Sequence, residues 1–182
     1  LIPISLMSGF FPSLSRSAES DSQLLIYKYE KAFKLVAFTS IFLASMCIVF
    51  SHKIIMLLYG KEFLSAAPAF QILAASLIFT MLFSVVDFTL VAVNRQNVLF
   101  LCFLAGLVIK IILDFLLIPS YGYMGASVAA LTGYVAIFCI GFFMLSRYLA
   151  FLPIHRIILK PAFAAGLIAI CLYKFNQGNM YI

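Results

Sequence analysis

The chain has 182 residues, of which 65% are hydrophobic and only 10% charged, and its mean hydropathy is +1.17. A soluble domain carries roughly 45–50% apolar and about 25% charged residues, and a chain this short leaves about a third of its unfolded-state surface wet, so the apolar excess has to face lipid. The net charge of +6 does not mark a nucleic-acid partner, because the basic residues form no dense run and lie mostly at the ends of apolar stretches, where they set membrane topology.

The expected fold class is all-α, a polytopic bundle of transmembrane helices, each needing roughly 20 mostly apolar residues. Leu1 to Phe11 supplies only the end of such a helix, closed by Phe11-Pro12. With no initiator Met and no signal-peptide pattern, this start reads as a cut within a longer chain. Ser20-Asp21-Ser22 offers N-cap candidates for a helix over 24–34. Lys28, Lys31 and Lys34 share one side of it, and Leu25, Tyr29, Ala32 and Phe33 share the other, which predicts an amphipathic helix lying in the interface.

The first complete span is predicted at about 33–50. Ile54 to Leu58 is too short to cross and reads as a helical turn at the surface, ended by Tyr59-Gly60-Lys61-Glu62. A second span covers about 65–93, with Pro68 near its start. Asn94-Arg95-Gln96-Asn97 is a polar turn, and 98–118 is the third span. Pro119-Ser120-Tyr121-Gly122 reads as a tight turn before a fourth span at 123–145, and a basic connection carrying Pro153 leads to a shorter fifth at 157–173. The chain thus divides into a partial transporter lobe, 1–147, and a connection with an accessory helix, 148–182.

Counting Lys and Arg on alternate connections puts eight on one side (Arg16, Lys28, Lys31, Lys34, Arg95, Arg147, Arg156, Lys160) and three on the other (Lys53, Lys61, Lys174). The richer side is expected in the cytoplasm. Short turns make successive spans antiparallel neighbours, and Gly125, Ala129 and Gly133, at i, i+4 and i+8, predict a close helix contact.

The twelfth basic residue is Lys110, inside the third span, one helical turn before Asp114. A charge at the centre of a membrane helix costs about 2.5–3.5 kcal/mol on insertion scales, so it points to a protein interior or a watery cavity. The pair either neutralises itself or serves an anionic substrate group or coupling ion, and the spacing leaves both open. Asp87, near the end of its span, reads as a border residue, with a role in a proton or sodium site as the alternative. Cys47, Cys102, Cys139 and Cys171 show no metal-ligand spacing and read as inert buried thiols, and His52 and His155 as interfacial residues. No HExxH, GxSxG or Gly-rich phosphate loop is present, so catalysis, a metal and a cofactor are not expected.

Four stretches, in order, carry a family resemblance: Phe11-Pro12-Ser13-Leu14-Ser15-Arg16, Leu57 through Pro68, Gln71-Ile72-Leu73-Ala74, and Leu117 through Ala126. They resemble the C-terminal half of polysaccharide-exporting flippases of the multidrug/oligosaccharidyl-lipid/polysaccharide exporter superfamily. The resemblance implies a two-lobed helical carrier that moves undecaprenyl-diphosphate-linked oligosaccharide (an O-antigen, capsule or exopolysaccharide unit) across the bacterial inner membrane by alternating access. The N-terminal lobe would be its partner within the same protein. On this expectation Lys110, Asp114 and Asp87 line the substrate or coupling-ion cavity. The rival expectations are a multidrug cation exporter of the same fold and a membrane-embedded glycosyltransferase or ligase.

Overall fold

The computed structural model describes residues 22–149. Among these there is no strand; the elements are α1 (Ser22–Val49), α2 (Ser51–Tyr59), a 3-10 segment (Lys61–Ala66), α3 (Ala67–Ala92), α4 (Gln96–Tyr121) and α5 (Tyr123–Leu149). Four stretches are long and apolar enough to cross a membrane: Gln23–Val49, Lys61–Ala92, Gln96–Tyr121 and Tyr123–Arg147. At 1.5 Å per residue, 26 residues extend about 40 Å, which exceeds a hydrocarbon core of about 30 Å. The four spans expected from hydropathy within the described residues are present in the expected order.

The helices pack in the order α1, α3, α5, α4, with α4 held almost wholly by α5. Three of them enclose the core. Leu25, Tyr29, Phe33 and Val36 of α1 meet Met81, Val85, Val86 and Leu90 of α3 and Phe138 and Leu145 of α5. Phe33 is the hub, its ring centroid 6.3 Å from that of Phe138 and 6.1 Å from that of Phe142. In lipid no hydrophobic force drives helices together, so interlocked shapes of this kind supply the cohesion.

This packing corrects the expected interfacial helix. Residues 24–34 are the first turns of α1, continuous with the span, and the face carrying Leu25, Tyr29, Ala32 and Phe33 is sealed against protein, each residue at most 2% exposed. Periodicity finds an apolar face but not what covers it. Lys31 and Lys34 remain on the outside, where Lys34 pairs with Glu30 at 3.4 Å.

The turns are tighter than expected. Asn94 adopts φ 57°, a left-handed conformation that Asn tolerates, and the Arg95 N–H returns to the Leu90 carbonyl at 2.9 Å. The predicted four-residue turn at 119–122 shrinks to Gly122. Helix α4 runs through Pro119 to Tyr121, and Gly122, at φ 54°, caps it through its N–H to the Ile118 carbonyl at 2.8 Å. Proline in the last turn removes one helical hydrogen bond, and the reversal falls to glycine, which takes positive φ without strain.

Of the cysteines in the described residues only Cys102 is buried; Cys47 is partly exposed and Cys139 lies on the outer surface of α5, so the expectation of uniformly buried thiols is corrected. The predicted fifth span at 157–173, Cys171 and His155 lie outside the described residues.

Candidate functional site

The seam between α4 and α5 is built from small residues. Positions 102, 106, 110 and 114 of α4 follow one another at i+4 and form the stripe that α4 turns toward α5; Cys102 and Gly106 on it are buried. On α5 the facing residues are Gly125, Ala129 and Gly133. A Cβ on Gly125 would collide with the backbone carbonyl of Leu117, one on Gly106 with Ile137, and one on Gly133 would come within 3.2 Å of Lys110 Cβ. The close contact expected from the small-residue spacing is present, and α4 is the partner.

This seam carries Lys110 and Asp114. Lys110 Nζ donates to Asp114 Oδ2 at 2.5 Å, the i, i+4 pairing that the spacing allows. The two ends of the pair differ in setting. The Lys110 side chain is 43% exposed and the Asp114 side chain 21%. Asp114 Oδ1 is enclosed and has no hydrogen-bond partner among the described residues. The antiparallel register, with Lys110 opposite Gly133 and Leu117 opposite Gly125, sets Asp114 level with fully buried Ala129.

Lys110 opens into a groove of about 370 Å³ between the two helices, walled by Phe100, Phe103, Leu104, Leu107, Tyr134 and Ile137. Among the described residues it is the one charged residue on that wall. The chemistry is a single ammonium in an apolar cleft midway along a membrane span, held by one carboxylate that has hydrogen-bonding capacity to spare. A second anion of fitting geometry can compete for that ammonium. The apolar wall suits a hydrocarbon chain.

Asp87 does not join this group. It is half-buried five residues before the end of α3, whereas Lys110 lies fourteen residues into α4, so the two differ in depth by roughly 13 Å. Among the described residues no three His, Cys, Asp or Glu side chains cluster as a metal site would need.

One polar tie joins elements that the sequence alone does not bring together. Gln71 Nε2, in the second turn of α3, donates to Ser51 Oγ at 2.8 Å and approaches the Ile48 carbonyl at 3.4 Å. It holds the elbow between α1 and α2 against α3. An amide inside an apolar span was the available signal, since such a group needs a partner in lipid.

A family model described as lipid II flippase MurJ matches residues 1–179 of the chain. The chain is 30% identical over 141 residues to an uncharacterized membrane protein, MJ1068, of Methanocaldococcus jannaschii; the match covers 76% of this chain and 28% of that protein. It is 26% identical over 184 residues to stage V sporulation protein B of Bacillus subtilis, covering 100% of this chain and 35% of that protein. The chain therefore spans about a third or less of the length of these relatives. No solved structure matches it.

Proposed function

Because the chain belongs to the lipid II flippase MurJ family, matched over residues 1–179, we propose that it is part of a carrier that flips a lipid-linked glycan precursor across the cytoplasmic membrane, with Lys110 attracting the precursor's anionic headgroup. Such a precursor joins a long hydrocarbon to a sugar through phosphate. The groove between α4 and α5 offers the matching pair of environments, an apolar wall and an ammonium. The observation that carries the reading is the half-exposed Lys110, bound to one carboxylate only and placed near the middle of α4.

Transport by alternating access moves one half of a carrier against the other around a shared site. The described helices contribute one wall of that site, and an N-terminal lobe the other. The rival cation exporter needs free carboxylates in the cleft; here the carboxylate of the seam is neutralised by Lys110, and among the described residues no carboxylate lines the groove. The glycan is an undecaprenyl-diphosphate-linked unit; O-antigen, capsule, exopolysaccharide and peptidoglycan precursors share the headgroup chemistry invoked.

The test is flipping of a lipid-diphosphate-linked sugar by the intact protein in proteoliposomes. Lys110→Arg should keep part of the rate, and Lys110→Ala should lose most of it. Full activity of Lys110→Ala at normal abundance would remove the assigned role. Topology gives a second check: a cysteine at Arg95 should label from the cytoplasm, and one at Ser120 from the opposite side.

A further inference from the structure

Between the end of α1 and the start of α3 the chain makes neither a crossing nor a plain loop. Helix α2 is nine residues, about 13 Å, too short to span, and it is flanked by two helices that do span. Its position is therefore fixed at the membrane boundary, at the end of the bundle opposite the Arg95 turn.

One edge of α2 faces protein. Ser51 is fully buried and Ile55 is 5% exposed, and the Gln71 side chain grips Ser51. His52 and Lys53 are exposed on its first turn, and from Met56 onward the exposed surface is apolar. Leu57 is 85% exposed, Leu58 68% and Tyr59 66%, and Met56 and Phe63 stand beside them, with the Tyr59 and Phe63 rings 6.1 Å apart. Five large apolar side chains within eight residues would be costly if left open to water, and they contrast with the Arg95 turn, where Asn94 and Arg95 are polar.

We infer that α2 and the 3-10 segment after it form an interfacial anchor whose exposed face, centred on Leu57 and Leu58, is immersed in the lipid leaflet at this end of the bundle. The occupant is the leaflet itself because the stretches on both sides of α2 are long and apolar enough to cross the membrane, which leaves this short apolar helix at the level where they meet the lipid headgroups. Two cations fit the same placement. Lys53 lies one turn before Leu57, its ammonium 5.9 Å from the centre of the Phe50 ring, and Lys61 follows Tyr59 and Gly60. Long stems lying along apolar surface with ammonium groups at headgroup level are how lysine sits at a boundary. Tyr59 supplies the amphipathic ring typical of that level. Through the tie of Gln71 to Ser51, the depth of this anchor is transmitted to the first turns of α3.

The chain contains no tryptophan, so an added one can be read as a difference from the parent protein. Leu57→Trp, at an exposed position, is made in the intact protein and reconstituted in nanodiscs, with Tyr59→Trp, at the exposed end of the same helix, as a second reporter. Lipid immersion requires blue-shifted added emission, most of it quenched by phospholipid brominated on the upper acyl chain and little by aqueous acrylamide. Red-shifted emission quenched by acrylamide would overturn the anchor, since the face would then be in water. Emission quenched by neither agent would overturn it as well, since the face would then be covered by protein. Flipping activity does not enter this test, so its outcome is independent of the transport reading.

Discussion

On one side of α5, Phe138 and Leu145 interlock with aromatic and branched side chains of α1 and α3; on the other, Gly125, Ala129 and Gly133 let the α4 backbone come close. The first contact surrounds Phe33 with rings, and among the described residues its buried cluster is uncharged. The second encloses an ion pair and opens into a groove. Both are helix contacts in lipid, yet they use different physics. Bulky side chains fit one another and resist sliding, whereas glycine faces hold helices by backbone proximity and leave polar groups reachable. The difference separates a fixed scaffold, α1, α3 and α5, from a helix, α4, whose attachment runs almost entirely through one neighbour.

The largest effect should come from emptying the scaffold. Phe33→Ala removes a ring that touches Tyr29, Phe138 and Phe142. Its cost should be about 3 kcal/mol, the low end for buried aromatics, because lipid rather than water receives the freed surface. Thermal unfolding in detergent and membrane abundance should both fall. An unchanged midpoint would break the comparison at its root.

A smaller effect separates the two seams directly. Gly125→Ala places a methyl against the Leu117 backbone, which cannot rotate away, while Gly141→Ala places one 2.8 Å from the edge of the Phe83 ring, which can. Overpacking costs about 1–3 kcal/mol, and Ala gains back up to about 1 kcal/mol of helix propensity over Gly. Gly125→Ala should therefore be net destabilising and Gly141→Ala close to neutral, as read from paired melting curves. The reverse order would show that the glycine seam is the looser of the two.

The smallest effect concerns the elbow. Gln71→Leu removes the bond to Ser51 and should cost about 1 kcal/mol, with the loss read as faster hydrogen exchange at the end of α1 and in α2. Exchange unchanged there would mean that Ile55 alone seats the elbow.

Much of the scaffold was legible in the sequence because hydropathy reports spans and spacing reports faces. Four spans and the glycine stripe of α5 needed nothing more. The setting of the early turns of α1 is not legible in the sequence, because Leu25, Tyr29 and Phe33 make the same pattern whether lipid or protein covers them. The turn at 119–122 was drawn too long because a proline marks where a helix can stop, not where it does, and Gly122 alone reverses the chain. At the site, the pairing of Lys110 with Asp114 follows from a four-residue spacing. Its groove does not, because Tyr134 and Ile137 come from the neighbouring helix and only the register of α4 on α5 brings them to Lys110.

The central claim is that Lys110 and Asp114 form a pair whose cation serves transport and does more than neutralise its partner. Asp114→Ala leaves an unpaired ammonium in the span, at a cost of about 2.5–3.5 kcal/mol, and Lys110→Ala leaves an unpaired carboxylate, so either change alone should lower abundance. The double change, Lys110→Ala with Asp114→Ala, removes both charges and decides the matter when abundance and flipping of a lipid-diphosphate-linked sugar are measured on the same preparation of the intact protein. Restored abundance with flipping still lost is the expected result. Restored abundance together with restored flipping would contradict the claim and reduce the pair to a neutralised structural contact.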